Sequence, residues 1–255
     1  MKYNFYTVLN SAYMTFGKIW LLSLLDNIPS EKIENIIILD TGLKEEDVKY
    51  LNNFEKVVVL QSDLNLIHTS DVRPTNSYWL QHVLRKTKFC KVVLKLYNSP
   101  LIMVDSDCMF LGDVTEQLQQ DKDLLVCNRS YKEENNWIAS FFVINNPEEG
   151  KRFLSLWIKR MKKLMKERPE RGWFESHSLN LLINEILEGG HGAFNMGDVF
   201  TANVACEEEE YFSHKNTMVV HFKGTGKKTD FFGRVGRFKN FQHILEKADE
   251  YAKKK

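Results

Sequence analysis

Five short apolar runs, each followed by polar or turn residues, constrain this chain more than any other feature. They are Tyr3 to Leu9, Ile36 to Leu39, Val57 to Leu60, Leu101 to Val104 and Leu124 to Val126. Runs of three to seven residues, rich in β-branched and aromatic types, predict strands buried on both faces. Between them the apolar spacing becomes helical. Phe16 to Leu25, Glu45 to Leu51 and Ser77 to Leu96 are predicted helices, and Arg85, Lys86, Lys88, Lys91 and Lys95 give the last a basic face. Strands alternating with helices predict an α/β fold with a mostly parallel central sheet and helices on both faces.

The second half is less regular. Ser140 to Ile144 reads as a strand. Glu148 to Arg168 reads as a helix with Phe153, Trp157, Met161 and Leu164 on one stripe. Glu175 to Leu187 is a second helix, Met218 to Val220 a late strand, and Phe238 to Lys253 an amphipathic C-terminal helix. Glycine-rich stretches lie at 189–192 and 224–236. There is no internal repeat and no low-complexity linker. With 43% hydrophobic and 12% aromatic residues, a single domain over 1–255 has enough apolar matter for its core.

Lys and Arg number 35 against 34 Asp and Glu, a net charge of +1. Overall charge therefore argues for no nucleic-acid partner. The terminal Lys253, Lys254 and Lys255 leave a peripheral contact with anionic lipid open. Cys90, Cys108, Cys127 and Cys206 form no CxxC or CxxH pair, which predicts reduced core thiols rather than a disulfide framework or a zinc site. Tyr3 to Leu25 is interrupted by Asn4, Thr7, Asn10, Ser11, Gly17 and Lys18, so no signal peptide is expected. No apolar run reaches the length of a transmembrane helix. Together these predict a cytoplasmic protein.

Parallel sheets bind ligands beyond the carboxyl ends of their strands. That rule points to Asn10-Ser11, to Asp40-Thr41-Gly42 and to Asp105-Ser106-Asp107. The last is the most informative, because the buried run Leu101 to Val104 opens directly into two carboxylates spaced i, i+2. Such acids repel each other unless a cation lies beside them. Mn²⁺ or Mg²⁺ satisfies them and keeps positions open for phosphate oxygens. Taken alone, the pair also reads as two solvated loop acids. A second segment, Met218 to Lys228, is a strand followed by His221 and a glycine-rich basic loop with Lys223, Gly224, Lys227 and Lys228. An imidazole can complete a metal's coordination, while glycine lets backbone approach a diphosphate and lysine neutralises it.

These residues resemble a GT-A fold glycosyltransferase, most closely glycosyltransferase family eight. The resemblance rests on the DxD of Asp105-Ser106-Asp107 after its strand and on the HxxGxxK of His221, Gly224 and Lys227. It implies a Rossmann-like nucleotide-diphospho-sugar transferase fold, with a nucleotide-binding half over 1–113, an acceptor and sugar half over 114–230, and a C-terminal helix over 231–255. It implies Mn²⁺ or Mg²⁺ held by Asp105, Asp107 and His221, with Ser106, Lys223, Gly224 and Lys227 gripping the diphosphate of a UDP-sugar donor. The acceptor would be a hydroxyl of a glycan or other molecule. Tyr6 to Tyr13 resembles the family's first strand and nucleotide-binding turn, which places Thr7, Leu9, Asn10 and Tyr13 against base and ribose.

The chain departs from the family's pattern on the sugar and acceptor side. Lys228-Thr229 stands for the usual Pro-Trp. Ile138 to Asn145 lacks the Asn and Gly of the family's N-A-G strand, and Glu175-Ser176 replaces an acid followed by an amide. Glu175 is a candidate catalytic group, as general base or as a stabiliser of charge on the sugar, or it is a helix-start acid favoured by the macrodipole. Asp107 is the second candidate catalytic residue. Asp40 either contacts the nucleotide or caps a turn with Gly42. Lys88 and Lys91 either reach a phosphate or sugar or belong to a solvated helix face. Trp137 and Trp173 either stack on sugar or pack. Two other classes compete. A sugar nucleotidyltransferase would carry a glycine-rich basic signature after its first strand, which Asn10 to Phe16 lacks. A binding protein on the same scaffold would hold nucleotide without turnover.

Overall fold

The computed structural model describes residues 1–62, 77–128, 137–167, 174–200, 204–205 and 217–222. The first half alternates strand and helix: β1 Tyr3–Leu9, α1 Met14–Asn27, β2 Ile33–Asp40, α2 Glu45–Leu51, β3 Val57–Gln61, α3 Ser77–Tyr97, β4 Leu101–Val104 and β5 Cys108–Phe110. The second half adds β6 Leu124–Asn128, β7 Trp137–Ile144, α4 Pro147–Glu167, α5 Phe174–Leu187, β8 Met196–Phe200, β9 Val204–Ala205 and β10 Val219–His221. The predicted C-terminal helix lies outside the described residues.

Seven strands form the central sheet in the order β3-β2-β1-β4-β7-β6-β8. β1 pairs in parallel with β2 and β4, β2 with β3, and β6 with β8. β7 runs antiparallel to both its neighbours. The expected mostly parallel sheet is present with this one reversal. A small second sheet, β5-β10-β9, was not expected. Its strands are two or three residues long, too short to show a period of two.

Both faces of the large sheet are covered, as its continuous apolar runs require. Phe5, Ile36, Ile38, Ile102 and Val143 pack toward α1 with Ile19, Trp20 and Leu22. Tyr6, Ile37, Leu39, Met103 and Phe142 pack on the other side with residues of α3, α4 and α5. Cys90, Cys108 and Cys127 are buried and unbridged, as expected, and Cys206 lies outside the described residues. No described helix is long and apolar enough to cross a membrane.

The order of strands determines where a ligand fits. From β1 the chain moves outward through β2 to β3, then returns to place β4 on the other side of β1. The crevice beyond the carboxyl ends of β1 and β4 is therefore the topological switch point of the sheet. Asn10 and Asp105 follow those two ends.

Candidate active site

The chain turns sharply as it leaves β4. The Asp105 N–H donates to the Ser140 carbonyl at 2.9 Å, and the Cys108 N–H returns to the Asp105 carbonyl at 3.1 Å. This turn carries the chain from the large sheet into the small one, with Ser106 at its tip. β5 then pairs antiparallel with β10, placing Cys108 opposite His221. The Phe222 N–H donates to the Asp107 carbonyl at 2.9 Å, which completes the register. His221 Nε2 is thereby held 3.2 Å from Asp107 Oδ1 and 3.9 Å from Asp105 Oδ2.

Asp107, Cys108 and His221 offer ligand atoms within 4.8 Å of one another. The Asp107–His221 spacing is close to the roughly 3 Å expected between neighbouring ligands on a hard divalent ion with bonds of about 2.1 Å. Burial alone would raise the Asp107 carboxyl. The charge and hydrogen bond of His221 outweigh that and hold it below its ordinary value.

Lys86 forms the other half of the site. It projects inward from α3, only 7% exposed, and its Nζ lies 2.6 Å from Asp105 Oδ1 and 2.7 Å from Glu175 Oε1. The Tyr6 hydroxyl donates to the Lys86 carbonyl at 2.9 Å and pins this turn of α3 over β1. Burial works against the ammonium, but the two carboxylates outweigh it and hold its pKa well above the usual lysine value. Glu175 lies in the first turn of α5 and is positioned through its backbone. Trp157 Nε1 and Ser178 Oγ both donate to its carbonyl, at 3.2 and 2.9 Å. Asn180 ties α5 to β7 by accepting from the Trp137 N–H and donating to the Trp137 carbonyl. Burial pushes the Glu175 carboxyl up to about 7.

On the β1 side, Asn10 Oδ1 accepts from the Tyr13 N–H at 3.1 Å, capping a short turn into α1. Tyr13 feels the two site aspartates. Burial first, then Asp107 and Asp105, raise its phenol to about 12. Asp40 Oδ1 accepts from the Gly42 and Leu43 N–H groups at 2.8 and 2.7 Å, so it shapes the loop after β2. Gly42 there adopts φ 124, a conformation that favours glycine.

Several expected positions fall differently. Lys88 is exposed on the outer face of α3, and the residue that reaches Asp105 is Lys86, two positions earlier. The expected basic face thus loses Lys86 to the interior. Lys91 bonds Ser155 of α4 at 2.6 Å, a helix–helix contact. Leu9 points its side chain into the core beneath Gly17, and its carbonyl is taken by Thr41. Thr7 is fully buried in β1. Trp137 packs partly buried against the core. Lys223, Gly224, Lys227 and Trp173 lie outside the described residues. His82, one turn before Lys86, was missed altogether. Burial first, then Lys86 and Arg85, depress it to about 4, so it is neutral.

A reversed strand within an otherwise parallel sheet, with an Asp-Ser-Asp turn and a facing histidine at the switch point, is the arrangement expected of a GT-A type sugar-nucleotide transferase. The chain belongs to the nucleotide-diphospho-sugar transferase family, whose sequence profile it matches over residues 45–232. The galactosyltransferase LgtC, solved with donor and acceptor sugar analogues, superposes with a TM-score of 0.62 at 13% identity, covering 97% of this chain and 95% of LgtC. The glycosyltransferase GlyE of Streptococcus pneumoniae TIGR4 gives 0.61 at 13% identity, covering 97% of this chain and 60% of GlyE. The bifunctional glycosyltransferase WbbM gives 0.59 at 10%, covering 96% of this chain and 51% of WbbM. These likenesses establish the GT-A fold. Comparison with curated protein sequences found no match.

Proposed function

We propose that this protein moves a hexose or related sugar from a UDP-type nucleotide sugar to a hydroxyl of a glycan or similar acceptor. The observation that carries this reading is the convergence of Asp105, Asp107 and His221 beyond β4, with Lys86 and Glu175 buried behind them. The LgtC complex with donor and acceptor analogues supports a two-substrate reading of the same fold.

Asp107, His221 and Asp105 would hold Mn²⁺ or Mg²⁺; a bound ion supplies positive charge to the donor diphosphate as negative charge grows on it. Lys86 occupies Asp105 Oδ1 and so fixes which carboxylate oxygen faces His221. Asn10 and Tyr13 form the wall toward the nucleotide, and Asp40 shapes the loop beside them. Ser106 offers its backbone at the turn. Lys223, Gly224 and Lys227 follow His221 in the chain and are assigned to the diphosphate by sequence alone. A buried carboxyl poised near neutral pH suits Glu175 either to take the acceptor's proton or to stabilise charge at the sugar.

A panel of nucleotide sugars, assayed for hydrolysis with and without Mn²⁺, tests this reading. One donor should turn over only with metal, and Asp107→Asn should abolish it. Turnover unaffected by Asp107→Asn sinks the assignment. Calorimetric binding of UDP with Mn²⁺, but no turnover of any donor, would identify a binding protein instead.

A further inference from the structure

The outer face of α3 and α4 carries charge far out of proportion to the chain. The two helices lie antiparallel, joined by Lys91 to Ser155 and by Lys151 to Asn98. Their exposed charged residues are six lysines, namely Lys88, Lys95, Lys159, Lys162, Lys163 and Lys166, against Glu148 and Glu167. Both glutamates already have partners, Glu148 in Lys151 and Glu167 in Lys163. Among the described residues no carboxylate pairs with Lys88, Lys95, Lys159, Lys162 or Lys166. The whole chain has a net charge of only +1, so this face is a local concentration. Its members also crowd one another. Besides partial burial, the charges of Lys162 and Arg85 lower the pKa of Lys88. Like charges gathered at such a cost favour an anionic partner.

Two further residues narrow the partner. Val92 and Leu96 are 39% and 62% exposed, two of the four exposed large hydrophobics among the described residues. At spacings of three and four residues, Lys88, Val92, Lys95 and Leu96 share one stripe of α3. A soluble polyanion would engage the lysines and leave the apolar pair in water. A lipid interface takes both, with headgroups on the ammonium groups and apolar side chains in the acyl boundary.

We propose that the α3–α4 face docks flat on an anionic lipid bilayer. Each helix has 21 residues, a length of roughly 30 Å, so the pair presents a broad contact. The docking is peripheral, since no described helix can span a membrane. Lys86 points inward from the opposite side of α3, so the docking surface is separate from the site. This inference goes beyond the proposed transfer reaction and does not depend on it.

Flotation of the full chain with phosphatidylcholine vesicles, with and without phosphatidylglycerol, tests it. Binding should require phosphatidylglycerol and weaken as salt rises. The triple variant Lys95→Glu/Lys159→Glu/Lys162→Glu should bind at least about 100-fold less, at roughly fivefold per lysine lost, with an unchanged melting temperature. Val92→Ser/Leu96→Ser should weaken vesicle binding about 10-fold and leave binding to soluble polyphosphate unaltered. Undiminished vesicle binding by the triple variant overturns the proposal and transfers the attraction elsewhere, the terminal lysines included. Unchanged vesicle binding by the serine variant overturns it in favour of a soluble polyanion. A lowered melting temperature of the serine variant overturns it in favour of coverage by another segment of this chain.

Discussion

Lys86 of α3 and Glu175 of α5 form a buried ion pair at 2.7 Å, and Lys86 extends the same ammonium to Asp105. One cation thus joins the helix that covers β1, the start of α5 and the turn after β4. Removing one partner of a buried pair costs more than the pair contributes, because the remaining charge is left without compensation.

Lys86→Met should therefore lower stability by about 3–5 kcal/mol in urea titration, since it strands two carboxylates. Adding Glu175→Gln should recover part of the loss, because one stranded charge is then removed. A double variant no more stable than Lys86→Met would show that the two residues are not coupled.

The Asp107–His221 contact should decide metal affinity. Asp107→Asn and His221→Ala should each weaken Mn²⁺ binding by at least about 10–100-fold, measured by calorimetry. Metal-dependent donor hydrolysis should fall by at least about 100-fold in both. Either variant retaining wild-type affinity for Mn²⁺ argues against these two ligands.

Two groups largely withdrawn from water give the metal-free protein opposing pH dependences. Glu175, raised by burial to about 7, stabilises the fold at low pH, and that contribution is lost as pH climbs from 4.5 through 7. His82, lowered by burial to about 4, contributes fully above 6.5, and its share is lost as pH falls through 4. Melting temperature against pH should reveal each slope when the other is removed. Glu175→Gln should become more stable relative to wild type as pH rises from 4.5 to 7.5. His82→Gln should become more stable relative to wild type as pH falls from 6.5 to 4.

Gly150 sits where α4 presses on β7. A Cβ there would overlap Ile144 Cγ2 and approach Leu94 Cδ1 to 3.1 Å. Gly150→Ala should cost about 1–3 kcal/mol despite the better helix propensity of alanine, because a packed core yields little. Chemical denaturation measures it, and a stabilised variant would contradict the packing.

Much of the fold was legible because its signal is local. β1 and β4 run over the predicted apolar residues, and each helix predicted in the described part of the chain is present to within two residues at either end. The candidate site was legible where a motif lies on consecutive residues, as in Asp105-Ser106-Asp107. The inward position of Lys86 departs from the expected basic face, although the sequence carries a signal for it. Lys86 falls at helical spacing with the buried Val83, Cys90 and Val93, so a lysine stands on an apolar stripe. Grouping it with Lys88 and Lys91 by charge concealed that phase. His82 lies one turn earlier on the same helix. Of the two roles the sequence allows Asp40, the contacts of its Oδ1 to Gly42 and Leu43 supply the turn-capping one, and a nucleotide contact belongs to the proposed function.

The sequence by itself determined which segments become strands and helices, that the sheet is buried on both faces, and that two acids emerge at the end of β4. Those properties follow from side-chain period and from neighbours a few residues apart. Only the tertiary structure decided which groups meet. His221 reaches Asp107 through the pairing of β10 with β5, and Lys86 reaches Glu175 through the packing of α3 against α5. Both contacts join residues about a hundred positions apart. Their closeness comes from sheet order and helix docking, which depend on the burial of the whole core rather than on any local pattern.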